Sequence, residues 1–368
     1  MTALDVGQGD ALLLEFPEGL PWLIDGGGIP GSRIDIGVRR VLPALRARGV
    51  DQLGLVVLTH GDADHAGGLF AVLEQLRVDQ LLLPRGRRVG AAERSLISLA
   101  EQRGVSVIVS DEGAVLPELA GGVTADLLHP LAGWRFTNES TNDGSVVLRV
   151  VLGAVGFLLT GDIEAAAEEH LLRSDLDLRA TVLKLAHHGS RTSSSGDFLD
   201  RVRPMVALAG IGKENRFGFP HQGTISRLRE RDVELYWTGR HGELRVCTDG
   251  LALTVDTRPE GRWLRSLEYS AQEVAGWAVR PPDPSLPDSS PSEVEGVAET
   301  LDLDTVRTSR RTPRVRGGKG RQRPRGLKDS TRDKEAVPPP APRLMDDRQW
   351  ERSRKERGVR RPPWKSRR

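Results

Sequence analysis

The segment LVVLTHGDADHAGGL, Leu55 to Leu69, decides the fold. An apolar run of β-formers delivers the chain into a turn where His60, Asp62, Asp64 and His65 fall within six residues. In an extended segment residues two apart point the same way, so His60 and Asp62 can face one metal ion. Asp64 and His65, displaced as the chain turns toward a helix, can face a second. Imidazole and carboxylate are both ligands for zinc or manganese, and carboxylates pull the preference toward the harder ion. A merely polar surface turn also uses Asp, Gly and His. Four ligand-type side chains straight after a buried-strand pattern favour the metal reading.

One loop cannot close a two-metal site, and further ligand candidates stand at later strand ends. VGFLLTGDI, Val155 to Ile163, is an apolar strand ending in Gly161 and Asp162, where a carboxylate can bridge two cations. ATVLKLAHHGS, Ala180 to Ser190, is another, ending in His187 and His188. Alone, a Gly-Asp turn or a His pair is an even bet between structure and chemistry. Three clusters of one chemical kind reinforce one another.

The order DVGQGDALLL (Asp5 to Leu14), LIDGGG (Leu23 to Gly28), THGDADHAGGL (Thr59 to Leu69), LLTGDIE (Leu158 to Glu164) and LAHHGS (Leu185 to Ser190) resembles the metallo-β-lactamase-fold domain of the ComEC family of bacterial DNA-internalization competence proteins. The resemblance runs from about Thr2 to about Asp256. It implies an α/β fold, a four-layer αββα sandwich with a dinuclear metal site at one edge of its two sheets, and hydrolysis of a phosphodiester in DNA.

Carried over by that resemblance, the metal ligands are His60, Asp62, Asp64, His65, Asp162 and His187, around two divalent ions, zinc or manganese. Most hydrolases of the wider superfamily have a His where Asp62 stands; the Asp form resembles the ComEC and phosphorylcholine-esterase branches and favours a harder cation. The superfamily's other usual His has no clear counterpart. TNDGSVVLRV, Thr141 to Val150, occupies its place and resembles the family's Asn/Ser motif. Asn142 and Ser145 are therefore candidate substrate-binding residues, as is Ser190. A plain turn before a strand explains the first two equally well.

Two cations about 3.5 to 4 Å apart lower the pKa of a bridging water and stabilise charge on the phosphorus oxygens. Asp64 is placed to orient that nucleophile. His188, or His221 in the turn FGFPHQ, is a candidate proton donor to the leaving oxygen; a His beside a ligand also serves simply to fix its neighbour. The family often carries a second His in that turn, where this chain has Phe219. Asp5, Asp10 and Asp25 read as carboxylates that hold glycine-rich loops by hydrogen bonds.

Apolar patterning stops near Asp256, so residues 1–256 read as one hydrolase domain, 257–305 as a linker and 306–368 as a disordered, basic, Pro/Arg-rich tail. From Val306 on, Lys and Arg outnumber acids by 16 in a chain whose net charge is +2, leaving an acidic body. A flexible cationic arm can attract nucleic acid or an anionic membrane by counterion release, and an arm that folds back on the acidic body fits the same charges. Cys247 stands alone, which excludes an intrachain disulfide and a cysteine metal cluster.

No apolar run reaches transmembrane length and no signal peptide precedes the first strand. The ComEC resemblance, by contrast, implies a polytopic channel before the hydrolase domain. Two expectations stay open: a channel portion outside this chain, with the domain on the extracytoplasmic face of the inner membrane, or a free-standing cytoplasmic relative. Function likewise leaves three readings: a nuclease of competence-type DNA uptake, a phosphodiesterase on a small substrate, and a nucleic-acid-binding scaffold without catalysis.

Overall fold

A computed structural model describes residues 1–85, 90–110, 114–130, 134 and 141–278. Strands β1 (Thr2–Ala3), β2 (Leu12–Leu14), β3 (Trp22–Ile24), β4 (Gln52–Val57), β5 (Arg77–Pro84) and β6 (Ser106–Ser110) build most of one sheet. A second sheet holds β7 (Val123–His129), β8 (Val147–Leu152), β9 (Val155–Leu159), β10 (Val182–Lys184), β11 (Val206–Ala209) and β12 (Glu234–Trp237). The chain then returns to the first sheet with β13 (Glu243–Thr248), β14 (Leu253–Arg258) and β15 (Leu264–Tyr269), on the far side of β1.

The helices are α1 (Leu42–Arg46), α2 (Ala63–Ala66), α3 (Leu69–Gln75), α4 (Ala91–Arg103), α5 (Ala165–Leu172), α6 (Gly196–Val202), α7 (Gln222–Glu230), α8 (Thr238–His241) and α9 (Ala271–Ala278). Strands buried on both faces read as unbroken apolar runs rather than alternating ones, and LVVL is such a run. Leu55 and Val57 of β4 point between the sheets, where they join Trp22, Ile24, Leu148, Phe157 and Leu159. Val56 and Leu58 point outward to Leu42, Leu69 and Leu96 under α1, α3 and α4. In the second sheet Leu158 and Leu183 face outward to Leu171, Phe198 and Leu228 under α5, α6 and α7. Three apolar layers between four structural layers make the αββα sandwich that the motifs implied. Each fully buried Leu contributes on the order of 2 kcal/mol.

β3 to β6 run parallel in one sheet and β9 to β12 in the other. The C-terminal ends of β3, β4, β9 and β10 carry Asp25, the Thr59–His65 turn, Asp162 and the His187–His188 pair. The sequence reading closed the domain near Asp256, whereas the sheet runs on through β15, and α9 seats Val274 in the inter-sheet core. The pattern of β15, LRSLEY, has too few apolar residues to announce a strand. The expected tail, 306–368, and most of the linker lie outside the described residues. No described helix is long and apolar enough to cross a membrane.

Candidate metal centre

Ligand atoms of Asp10, His65, Asp162 and His188 all lie within 4.8 Å of one another, and all four residues are buried. His65 is set by its second nitrogen. Asp25, at the end of β3, accepts hydrogen bonds from the backbone N–H and hydroxyl of Thr59, each at 2.8 Å, and its Oδ2 lies 2.7 Å from His65 Nδ1. With Nδ1 held there, Nε2 turns into the cluster, 3.3 Å from Asp162 Oδ2. Carboxylate behind imidazole is the arrangement that fixes metal-ligating histidines. Asp25, read from the sequence as a carboxylate that holds a glycine-rich loop, here bonds Thr59 and sets the His65 ring.

Asp162 follows β9 through Gly161, which takes a φ of +51° and leaves no room for a side chain against Ser145 and Thr59. Ser145 is buried and its Oγ accepts the Asp162 N–H at 3.2 Å. It positions the carboxylate rather than facing a substrate.

His187 and His188 are separated by the backbone. Both have left-handed φ, 48° and 54°, so the strand alternation of β10 no longer governs where they point. His188 is buried: its Nε2 lies 3.4 Å from Asp162 Oδ2 and 3.5 Å from Asp64 Oδ2, and its Nδ1 3.5 Å from Asp10 Oδ1. His187, the position carried over as a ligand, has a side chain 25% exposed, with Nδ1 3.1 Å from Glu164 Oε1 and 3.5 Å from Asn142 Nδ2. The four-residue cluster contains His188 and not His187.

Asp10 was read as a loop-holding carboxylate and is instead a member of the cluster. It also forms a buried ion pair with Lys184, the last residue of β10, whose ammonium donates to the Leu185 carbonyl at 2.8 Å. The Asp10 N–H bonds the Asp64 carbonyl, and a Cβ on Gly9 would collide with that same carbonyl. Nothing in DVGQGD distinguishes a turn carboxylate from one that a hairpin carries to another sheet's edge. The nearer signal was the lysine inside LKLAHHGS, a buried cation that demands a buried acid.

At the rim, the rings of His60 and His65 stand 4.1 Å apart, and His60 Nε2 is 3.7 Å from Asp62 Oδ2. Asp62 is half exposed and accepts from the Thr141 hydroxyl at 3.1 Å. His221 is exposed at the N-terminus of α7, where its Nδ1 accepts the Gly223 N–H at 3.2 Å. Ser190 Oγ bonds Thr192 Oγ1 at 2.9 Å.

The charges answer one another. Burial presses the His188 imidazolium downward, but Asp162 and Asp10 outweigh it and lift the pKa to about 9. His65 is likewise raised well above the usual range: burial opposes it, and Asp162 and Asp25 prevail. Burial pushes Asp162 up, yet the facing histidines hold it well below the usual carboxylate range. This is a site built around positive charge.

Asp10 Oδ1, His65 Nε2, Asp162 Oδ1, both ring nitrogens of His188 and, beside them, His60 Nε2 are buried without a hydrogen-bond partner. Each such atom costs about 1–3 kcal/mol, and native proteins leave few. Six in one place, all imidazole or carboxylate, fit a divalent cation.

Two sheets with a His/Asp centre at one edge define a metal-dependent hydrolase. The chain belongs to the metallo-β-lactamase superfamily, whose family model matches residues 4–212. It is 29% identical over 253 residues to ComE operon protein 3 of Bacillus subtilis (strain 168), covering 66% of this chain and 32% of that protein. Competence protein ComA of Neisseria gonorrhoeae is 33% identical over 248 residues, 66% of this chain and 31% of the relative. Recombination protein 2 of Haemophilus influenzae is 31% identical over 250 residues, 67% and 28%. These relatives bear out the ComEC resemblance read from the motifs. The chain spans about a third of their length. A solved metal-dependent hydrolase of the β-lactamase superfamily matches 67% of this chain and all of its own at 13% identity and a TM-score of 0.41.

Proposed function

We propose that this chain is a metal-dependent phosphodiesterase acting on DNA. The observation that carries the chemistry is the cluster of Asp10, His65, Asp162 and His188 with its unmet buried nitrogens and oxygens. The observation that favours DNA is the relatives' names, competence and recombination proteins.

In this reading Asp10, His60, Asp62, Asp64, His65, Asp162 and His188 would hold two divalent cations. Bound divalent ions supply Lewis acidity that lowers the pKa of water and stabilises negative charge on phosphorus oxygens. Four carboxylates against three imidazoles favour manganese, with zinc the alternative. Asp64, partly exposed at the mouth, orients the attacking water. Burial raises its carboxyl pKa, but the His188 contact and the charges of His65 and His188 outweigh this and keep it ionised. For the proton of the leaving oxygen, His187 is better placed than either expected donor: His188 is turned into the cluster and His221 caps a helix. Glu164 Oε1 accepts from the Thr192 hydroxyl at 2.8 Å and steadies His187 from behind.

The test is hydrolysis of single- and double-stranded DNA and of bis(p-nitrophenyl) phosphate by metal-stripped protein refilled with Mn²⁺ or Zn²⁺, beside Asp64→Ala. DNA cleavage that needs metal and is lost in the variant is expected. Cleavage of the small ester alone moves the function to a small phosphodiester, and no turnover in any metal overturns the enzymatic reading.

A further inference from the structure

Among the described residues, Phe217 is the one exposed Phe, Tyr or Trp ring, 54% open to solvent, and it is not isolated. It stacks on Phe219 with centroids 5.5 Å apart and planes 18° from parallel. Phe219 in turn faces His188, 6.2 Å away at 33°. The Arg216 guanidinium carbon stands 5.4 Å from the centroid of Phe217. A ladder of planar groups therefore climbs from the metal centre to the surface in two ring-to-ring steps and ends beside a cation.

The ladder is built. Asn215 Oδ1 accepts the Phe219 N–H at 2.8 Å, and Asn215 Nδ2 donates to the Phe219 carbonyl at 2.9 Å. Gly218, at a φ of +71°, provides the turn that folds Phe217 back over Phe219. A lone apolar side chain on a surface needs no explanation. A pinned, stacked aromatic beside an arginine and next to a phosphodiester-cleaving centre does.

Resting on the DNA reading above, we propose that Phe217 is a base-stacking subsite: an unpaired nucleobase of the bound strand lies on its ring, with the Arg216 guanidinium beside the base or its phosphate. Bases stack on aromatic and guanidinium planes whatever their identity. The subsite thus selects single-stranded or unwound DNA without reading sequence, and holds the scissile phosphate in register with the metals. Only an unstacked base can reach such a ring, so paired DNA gains nothing from it.

The test measures, by fluorescence anisotropy, binding of a phosphorothioate oligothymidylate and of its abasic analogue to the Mn²⁺-loaded full chain and to Phe217→Ala and Phe217→Tyr. Wild type binds the base-containing strand more tightly. Phe217→Ala lowers that affinity roughly five- to 150-fold, the span of one stacked base, and leaves the abasic strand unchanged. Phe217→Tyr restores the preference. Melting temperature and Mn²⁺ affinity are the same in all three. An equal loss on both strands, or no base preference in wild type, overturns the subsite. Failure of the DNA reading shows separately, as absent metal-dependent cleavage of DNA by wild type.

Discussion

Two groups of buried carboxylates lie along the same edge of the sandwich and are held in opposite ways. Asp143 and Glu168 are satisfied by backbone. Asp143 Oδ1 accepts the N–H groups of Glu164 and Ala167 at 2.9 and 3.2 Å, at the start of α5, where a negative charge also meets the helix dipole. Glu168 accepts the N–H groups of Ser194 and Ser195 and so pins the serine loop before α6. Asp10 and Asp162 instead face ring nitrogens across a small gap, and each keeps an oxygen without a hydrogen bond. Burial is common to both groups. Satisfaction separates the carboxylates bonded by backbone from those that keep an unpaired oxygen in the His/Asp cluster.

Substitution breaks the two groups differently. The largest effect is expected for Asp162→Ala, which removes the carboxylate that faces both His65 and His188 in the cluster. Its kcat/KM for DNA should fall beyond about a thousandfold, equivalent to about 4 kcal/mol, with a melting temperature close to wild type when both are metal-free. Asp143→Ala should do the reverse. It strands the buried N–H of Ala167 and the half-buried N–H of Glu164 and destabilises by about 2–4 kcal/mol, read as a lowered melting temperature, while Mn²⁺ affinity stays within about threefold.

Asp25 joins the two modes, since it is satisfied and yet turns His65 Nε2 into the cluster. Asp25→Asn keeps the shape and weakens the grip on His65, so Mn²⁺ affinity should fall about 10–100-fold, measured by calorimetric titration. An unchanged affinity would show that packing alone sets the His65 ring.

The smallest effect belongs to His129, whose Nε2 donates to the Asp143 carbonyl at 2.9 Å. Burial lowers its pKa from 6.5 to about 4. The unfolded chain therefore takes up a proton that the folded chain refuses, so the stability is present above pH 6.5 and is lost as pH falls toward 4. Between pH 7 and 5.5 the loss is about 1 kcal/mol. His129→Gln should flatten that part of the urea-unfolding stability profile, and a slope identical to wild type would assign it to other groups.

Much of this was legible in the chain. Apolar runs such as LVVL and VGFLL gave strands at β4 and β9 because burial on both faces leaves no polar alternation to confuse. Ligand-type residues at their ends stood out because loops seldom carry several at once. His187 and His188 were not separable, because two successive left-handed residues cancel the alternation from which direction is inferred. Asp10 was hidden for another reason: its partners His65, Asp162 and His188 are 55, 152 and 178 residues away, and only sheet topology joins them. The Phe217 stack was likewise invisible, since FGF reads as a turn until Gly218 folds one ring over the other.

The central claim is that the unsatisfied cluster is the metal centre and that His188, not His187, belongs to it. Calorimetric titration of Mn²⁺ into metal-free wild type, His188→Ala and His187→Ala tests it most directly. Affinity should fall more than about a hundredfold in His188→Ala, beyond the effect of a residue that only supports a ligand, and stay within about fivefold in His187→Ala. The opposite ranking, or wild type that binds no divalent ion, would contradict the account.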